Sequence, residues 1–290
     1  MKRLKTGLNP KYFHPCQLSI YAAILPVMAL MLLPIIYIIS SAFKPLDELF
    51  AYPPRFFVEK PTGDNFAKLF LVSSSTNVPA TRYLFNSVII TIVMIIVTEL
   101  IAVSAAYVFS KKRFRGKEAL FRINQMAMMF VPVAVTIPRY LIMDGMGILN
   151  TFWAHILPAL ATPVGLFMMK QFVDGVPDAV VEAAKIDGAG DITIIRKIIM
   201  PIITPAMATV AILVFQNVWN ATEASTLLID DESMKNFAYY VSVLVSSSGN
   251  NVAGQGIAAA GSLIMFLPNI ILFIILQSGV MNTMAHSGVK

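Results

Sequence analysis

The chain has 290 residues, of which 57% are hydrophobic and only 13% are charged, with a mean hydropathy of +0.72. A soluble domain usually carries about 25% charged residues. The composition therefore excludes an ordinary soluble domain and indicates a protein that crosses a membrane several times. The net charge of +6 is explained by basic loops that orient a membrane protein, so we expect no nucleic-acid partner.

The uncharged stretches are long and continuous. A helix that crosses the ~30 Å hydrocarbon core needs about 20 apolar residues, whereas strands of a membrane barrel alternate over segments of about 10 residues. We therefore predict an all-α polytopic membrane protein embedded in the lipid bilayer. Its transmembrane helices number about six and are expected at residues 18–41, 84–109, 119–141, 149–170, 202–224 and 255–277.

The chain begins with a basic tail at residues 1–17, followed by an uncleaved first span and a proline-rich loop at residues 42–82. Lys and Arg are again concentrated between the second and third spans and between the fourth and fifth. Because the basic side of a membrane protein is cytoplasmic, both termini are predicted to be inside the cell. The loop at 42–82 is then external, residues 83–280 form the core domain, and residues 281–290 form a second cytoplasmic tail.

Polar residues within two predicted spans are candidates for function. Glu99 lies in the second span, where an ionisable side chain is a functional candidate by default. In the fifth span, Asn217, Asn220 and Glu223 recur every three residues, which predicts one shared helix face, and Trp219 lies beside them. Amide and aromatic groups suit sugar hydroxyls and rings, so these residues could line a substrate path. Hydrogen bonds between helices would also explain them.

Residues 171–201, between the fourth and fifth spans, form a charged segment in an otherwise lipid-soluble chain. Pro177 and Asp178 are typical first residues of a helix. Gly188 predicts the end of that helix, because glycine permits a positive φ, and a second helical piece is expected at 191–199. The segment could rest on lipid headgroups or bind a protein. Its acidic side chains favour a protein, since headgroup-binding faces are usually rich in Lys and Arg.

This segment resembles the EAA loop of the membrane subunits of bacterial ATP-binding-cassette (ABC) importers. The matching residues, at the family's spacing, are Glu182, Ala183, Ala184, Asp187, Gly188, Ala189 and Pro201. Further matching segments extend over roughly residues 80–280, and the resemblance is to the smaller membrane subunit of maltose-importer type carbohydrate permeases. Arg139 departs from the family pattern, which more often has an apolar residue there, and so does Asn269, where a proline is common.

The resemblance implies a type I ABC importer permease fold and a permease subunit that forms half of the pathway for a sugar or oligosaccharide. It implies a homologous second permease subunit, two ATPase subunits that bind the EAA residues, and an extracytoplasmic solute-binding protein. The assembly would lie in the bacterial cytoplasmic membrane. ATP and magnesium would belong to the ATPase partners, and this chain would hold no cofactor.

The chain's own motifs do not predict an enzyme. It contains no Gly-x-x-x-x-Gly-Lys-Ser/Thr phosphate loop and no His-Glu-x-x-His motif, and its three histidines are scattered. No catalytic or metal-binding residue is therefore assigned. The alternative to an ABC importer subunit is a secondary transporter driven by an ion gradient, which would need carboxylates near the membrane midplane and broken helices in two repeats. Glu99 is the one candidate carboxylate, and no repeat is evident.

Overall fold

A computed structural model describes residues 15–71, 78–248 and 252–287. Every regular element within those ranges is helical, which confirms the predicted all-α fold; parts of the two predicted tails lie outside them. Besides the α-helices there are 3₁₀ turns at Pro132–Val135, Leu157–Ala159 and Glu232–Met234 and a π-helical turn at Ile195–Ile199. The α-helices are α1 Pro15–Phe43, α2 Leu46–Leu49, α3 Asp64–Leu71, α4 Ala80–Lys111, α5 Lys117–Ala127, α6 Thr136–Gly145, α7 Trp153–Ile156, α8 Pro163–Asp174, α9 Asp178–Ile186, α10 Asp191–Ile194, α11 Met200–Ile202, α12 Thr204–Trp219, α13 Glu223–Leu227, α14 Phe237–Ser248 and α15 Val252–Ser287.

Three helices in the described ranges are by themselves long and apolar enough to cross a membrane: α1, α4 and α15. Two bent pairs raise that number to five if each pair is one span. The first pair joins Trp153–Ala159 to Pro163–Asp174 with a bend of 49°, and the second joins Asp191–Ile202 to Thr204–Leu227 with a bend of 86°. The predicted spans at 18–41, 84–109 and 255–277 are thus continuous helices, whereas those at 149–170 and 202–224 are broken.

The predicted span at 119–141 is not one helix. α5 ends at Ala127, and the backbone reaches α6 through the 3₁₀ turn that starts at Pro132. Proline lacks an N–H donor and disfavours helical backbone in the residue before it. Val131 is accordingly extended, with φ −73° and ψ 126°.

Within the described ranges, the largest buried cluster surrounds the C-terminal two thirds of α4, from Ile90 to Tyr107. One face of α4 packs against α8 and α12, and the EAA loop adds buried side chains to the same cluster, among them Val181, Ile194 and Ile199. A second cluster joins α3, α14 and α15 to the start of α4. α4 therefore connects the EAA loop to the rest of the bundle.

Candidate functional site

The EAA loop (residues 171–201) has the helix that the sequence predicts. Pro177 is extended and α9 starts at Asp178. Gly188 has a φ of +81°, and around it the N–H of Ala189 bonds the carbonyl of Ala184 at 2.9 Å. This 6→1 bond and the left-handed glycine form the Schellman ending of a helix. The predicted end of the helix is confirmed, and its cause is the conformation of Gly188.

Lys111, at the end of α4, binds the start of α9. Its ammonium donates to the carbonyl of Val176 at 2.5 Å and to the carboxylate of Asp178 at 2.7 Å. The Lys111 side chain is only 6% exposed, so this cation is held against the protein although its partner carboxylate is exposed. The hydrogen bond from Lys111 holds the pKa of Asp178 below its ordinary value of 3.8.

Lys112 and Tyr107 bind the second half of the EAA loop through Asp191. The Lys112 ammonium lies 2.7 Å from the Asp191 carboxylate, and the Tyr107 hydroxyl donates to the same carboxylate at 2.9 Å. Both halves of the loop are therefore tied to the end of α4 and to Lys112, the residue that follows it. We name this group of residues the α4 clamp: Tyr107, Lys111, Lys112, Asp178 and Asp191.

Between these attachments the loop presents a surface with exposed apolar side chains. Ile186 is 87% exposed and Ile192 is 82% exposed, one on each side of Gly188. Glu182 and Ala183 are exposed on α9, while Val181 of the same helix is buried. The loop thus has one face packed on the bundle and an exposed surface that carries both charged and apolar side chains.

A second feature is a cavity of about 350 Å³ lined by parts of α4, α6, α8, α12 and α13. We name it the central cavity. Its charged lining residues are Arg139 and Glu223, whose Nη1 and Oε2 atoms are 3.3 Å apart. The Thr136 hydroxyl donates to Oε1 of Glu223 at 3.2 Å. Tyr140 and Asn217 add a hydroxyl and an amide to the wall.

The prediction that Asn217, Asn220 and Glu223 share a helix face is wrong. α12 ends at Trp219, and Glu223 is the first residue of the next helix. Asn217 and Glu223 nevertheless line the central cavity together, whereas Asn220 lines a separate cavity of about 240 Å³ beside α1 and α15. The Asn220 amide also donates to the carbonyl of Gln216 at 2.8 Å.

Trp219 is not a lining residue of either cavity. It is 4% exposed, its indole N–H donates to the carbonyl of Met265 at 3.0 Å, and its ring stacks on Phe215 at 5.5 Å between centroids. These contacts join α12 to α15, which is the arrangement expected of a packing residue.

Glu99 lines neither of the two cavities described above. It is 8% exposed, and neither carboxylate oxygen has a hydrogen-bond partner among the described residues. It lines an open crevice of about 610 Å³ with Arg196, Pro201 and Thr204, at the junction of the EAA loop and α12. The structure therefore separates Glu99 from Asn217 and Glu223 and puts it beside the loop.

Sequence reasoning missed two groups of residues. Arg139 departs from the family pattern, but the sequence does not indicate its ion pair with Glu223, which lies 84 positions further along the chain. The basic residues at the end of α4 and after it predict the orientation in the membrane, but the sequence does not indicate that Lys111 and Lys112 form ion pairs with Asp178 and Asp191. No group of three or more His, Cys, Asp or Glu side chains within the described ranges is arranged to hold a metal ion.

The sequence of this chain is similar to those of known transport permeases. The family described as "Binding-protein-dependent transport system inner membrane component" matches residues 99–278, more than half of the chain. The arabinooligosaccharides transport system permease protein AraQ of Halalkalibacterium halodurans is 28% identical, over 89% of this chain and 90% of its own length. The sulfoquinovosyl glycerol transport system permease protein SmoH of Agrobacterium fabrum is 26% identical, over 89% of each chain.

Among solved structures, a chain of a bacterial ABC transporter involved in the import of the acidic polysaccharide alginate superimposes with a TM-score of 0.76. The match covers 92% of this chain and 98% of that one, at 20% sequence identity. At this identity the likeness shows the fold, which is that of an ABC importer permease.

Proposed function

Because this chain belongs to the family of binding-protein-dependent transport system inner membrane components, we propose that it is one of two permease subunits of an ATP-driven saccharide importer. Several relatives are named for the transport of oligosaccharides, which supports a sugar or oligosaccharide as the substrate. The chain supplies half of the pathway, and a homologous permease supplies the other half. Membership of a binding-protein-dependent family favours this function over transport driven by an ion gradient.

The observation that carries the proposal is the combination of clamp and exposed surface in the EAA loop. A segment that transmits a displacement must be fixed to the bundle at one face and free to bind at the other. The α4 clamp fixes the loop, and Ile186 and Ile192 lie on the free surface. Exposed apolar side chains in a cytoplasmic loop indicate a protein interface.

In this proposal Glu182, Ala183, Ala184, Asp187, Gly188 and Ala189 contact an ATPase subunit, and Pro201 begins the path from the loop into α12. Each permease binds one of two ATPase subunits, which hold ATP and magnesium, and an extracytoplasmic solute-binding protein delivers the saccharide. ATP binding draws the ATPase subunits together and displaces the loop. The bundle then changes state because the partners have different affinities for its two conformations.

The test is to reverse the charge of Glu182 in the assembled transporter. Glu182→Lys places a cation on the exposed face of α9, and we expect loss of ATPase copurification and of uptake with a normal amount of protein in the membrane. Glu118→Lys is the matched control, because Glu118 is also an exposed glutamate on a short helix but lies outside the EAA loop. Normal uptake by Glu182→Lys, or equal losses in both variants, would refute an ATPase contact at this surface.

A further inference from the structure

The charges in the central cavity bear on the kind of saccharide that the proposed importer carries. Arg139 and Glu223 are the charged side chains among its lining residues within the described ranges, and they form an ion pair. One positive and one negative charge offset each other, so the wall contributed by this chain has no net charge to attract an ionised substrate.

The same wall retains hydrogen-bonding capacity of both kinds. An arginine has five N–H donors and a carboxylate about four acceptor sites, while Arg139 donates one bond and Glu223 accepts two within the described residues. The Tyr140 hydroxyl and the Asn217 amide have no hydrogen-bond partner among the described residues and also line the cavity. Donors and acceptors placed side by side match hydroxyl groups, each of which donates and accepts.

An ionised sugar fits this wall less well. A carboxylate near Arg139 would lie beside the Glu223 carboxylate, and like charges at such separations repel strongly where water is scarce. A neutral ring meets no such repulsion. The volume of about 350 Å³ is within the range of about 300–1,000 Å³ typical of small-molecule sites.

We propose that the central cavity is a binding site for a neutral saccharide, in which Glu223, held in place by Arg139 and Thr136, accepts hydrogen bonds from sugar hydroxyls. This inference rests on the proposed function, because it assigns the substrate class of that importer. It distinguishes this chain from the transporter of similar fold whose substrate is the acidic polysaccharide alginate.

The first experiment needs no variant. The purified complex of both permeases and the ATPase subunits, without the binding protein, is tested by saturation-transfer NMR with α-1,4-galactobiose and α-1,4-digalacturonate, and with neutral arabino- and maltotriose. The galactobiose and digalacturonate differ only in a hydroxymethyl group replaced by a carboxylate at each ring. We expect binding of one or more neutral sugars and at least about tenfold weaker binding of the uronate, from a like-charge contact of ordinary size.

The second experiment changes the balance of charge. Glu223→Gln leaves Arg139 unpaired, so we expect neutral sugars to bind about 10- to 100-fold more weakly, the effect of losing a hydrogen bond to a charged group, and the uronate to bind more tightly. Arg139→Gln combined with Glu223→Gln removes both charges and should abolish the gain for the uronate. Glu59→Gln is the matched control, because Glu59 forms an exposed ion pair with Arg55, is not a lining residue of the cavity and should alter neither ligand.

The outcomes separate two kinds of failure. If no saccharide of either charge binds or stimulates ATP hydrolysis in the complete transporter, the proposed function fails. If saccharides are transported but the uronate binds the unmodified complex as tightly as the neutral sugars, or Glu223→Gln leaves the preference unchanged, the neutral-saccharide site fails alone. If Glu223→Gln does not assemble, the comparison of matched sugars on the unmodified complex still decides the inference.

Discussion

The shape of the EAA loop depends on the conformation of individual residues, and Gly188 is the clearest case. Gly188 has a left-handed φ of +81°, and a Cβ built there meets no atom within 4 Å. The reason for glycine at this position is therefore its conformation, since no neighbouring group would be displaced by a side chain. The sequence predicted this residue correctly because the positive φ of a helix ending is a local property.

Gly188→Ala should weaken the loop by about 1 kcal/mol, the penalty for an L-residue with left-handed backbone, and should lower uptake partially. Gly188→Pro should abolish uptake, because proline fixes φ near −65°. Gly190→Ala is the control, since Gly190 has a φ of −72° and equally open surroundings. Uptake assays with membrane amounts from immunoblots test the set, and equal activity of Gly188→Pro and the parent would contradict it.

Glu99 is the residue whose surroundings differ most from expectation. Its two carboxylate oxygens are buried and have no partner among the described residues, a situation that costs about 1–3 kcal/mol. Glu99→Met removes the acid while keeping a chain of similar length, so we expect a higher melting temperature of the purified complex. Glu118→Met, at an exposed site on α5, should leave the melting temperature unchanged. A lower melting temperature for Glu99→Met would contradict an uncompensated cost of burying this carboxylate.

At the scale of helices, the α4 clamp joins α4 to both halves of the EAA loop. Lys111→Met removes the bonds to Val176 and Asp178. We expect faster hydrogen exchange across α9 and reduced uptake, with a local loss of about 1–2 kcal/mol from the carbonyl bond of a nearly buried cation. Lys117→Met loses bonds to the carbonyls of Ser110 and Lys112 but only a weaker, longer-range attraction to Asp178, so it should change exchange in α9 much less. Unaltered protection of α9 in Lys111→Met would show that the bonds from Lys111 are not needed to hold the loop.

The clamp should be insensitive to pH in the physiological range. The pKa of Asp178 is held below 3.8 by Lys111, so the carboxylate contributes its full stabilisation above that value and loses it only as pH falls through the lower pKa of the folded state. Hydrogen exchange in α9, corrected for its intrinsic pH dependence, should therefore be constant from about pH 6 to 8. A marked loss of protection over that interval would exclude the Lys111–Asp178 pair as the principal attachment.

The limits of sequence reasoning are clearest at the helix ends. The break before α6 follows from Pro132, yet the sequence interpretation took residues 119–141 as one span because their hydropathy is continuous. The end of α12 has no such signal, since residues 220–222 contain neither proline nor glycine. The three-residue spacing of Asn217, Asn220 and Glu223 therefore predicts a continuous helix where the structure has a break. The ion pairs of the clamp and of Arg139 with Glu223 join distant parts of the chain, so no local pattern could predict them.

For the whole molecule, the orientation predicted from Lys and Arg places the EAA loop and both termini in the cytoplasm and residues 42–82 outside. With Cys16, the one native cysteine, replaced by serine, Lys185→Cys should react with a membrane-impermeant maleimide only after cells are opened. Glu59→Cys should react with the same maleimide in intact cells, provided that the reagent can pass any outer layer of the cell envelope. Both positions are exposed, so a difference in labelling reports the side of the membrane, and the reverse pattern would overturn the orientation.

α4 contributes Ile90 and Met94 to the central cavity and Tyr107 and Lys111 to the clamp. Met94 and Lys111 are about 26 Å apart along an unbroken helix, so one rod carries both the cavity wall and the loop attachment. The rotation of one end of α4 relative to the other should therefore affect how the loop is coupled to the cavity. One residue inserted between them turns the two ends by about 100° relative to each other, whereas seven inserted residues nearly restore the phase. We therefore expect the one-residue insertion to abolish import and the seven-residue insertion to restore part of it, because only the longer insertion returns the two ends of α4 to nearly their original alignment.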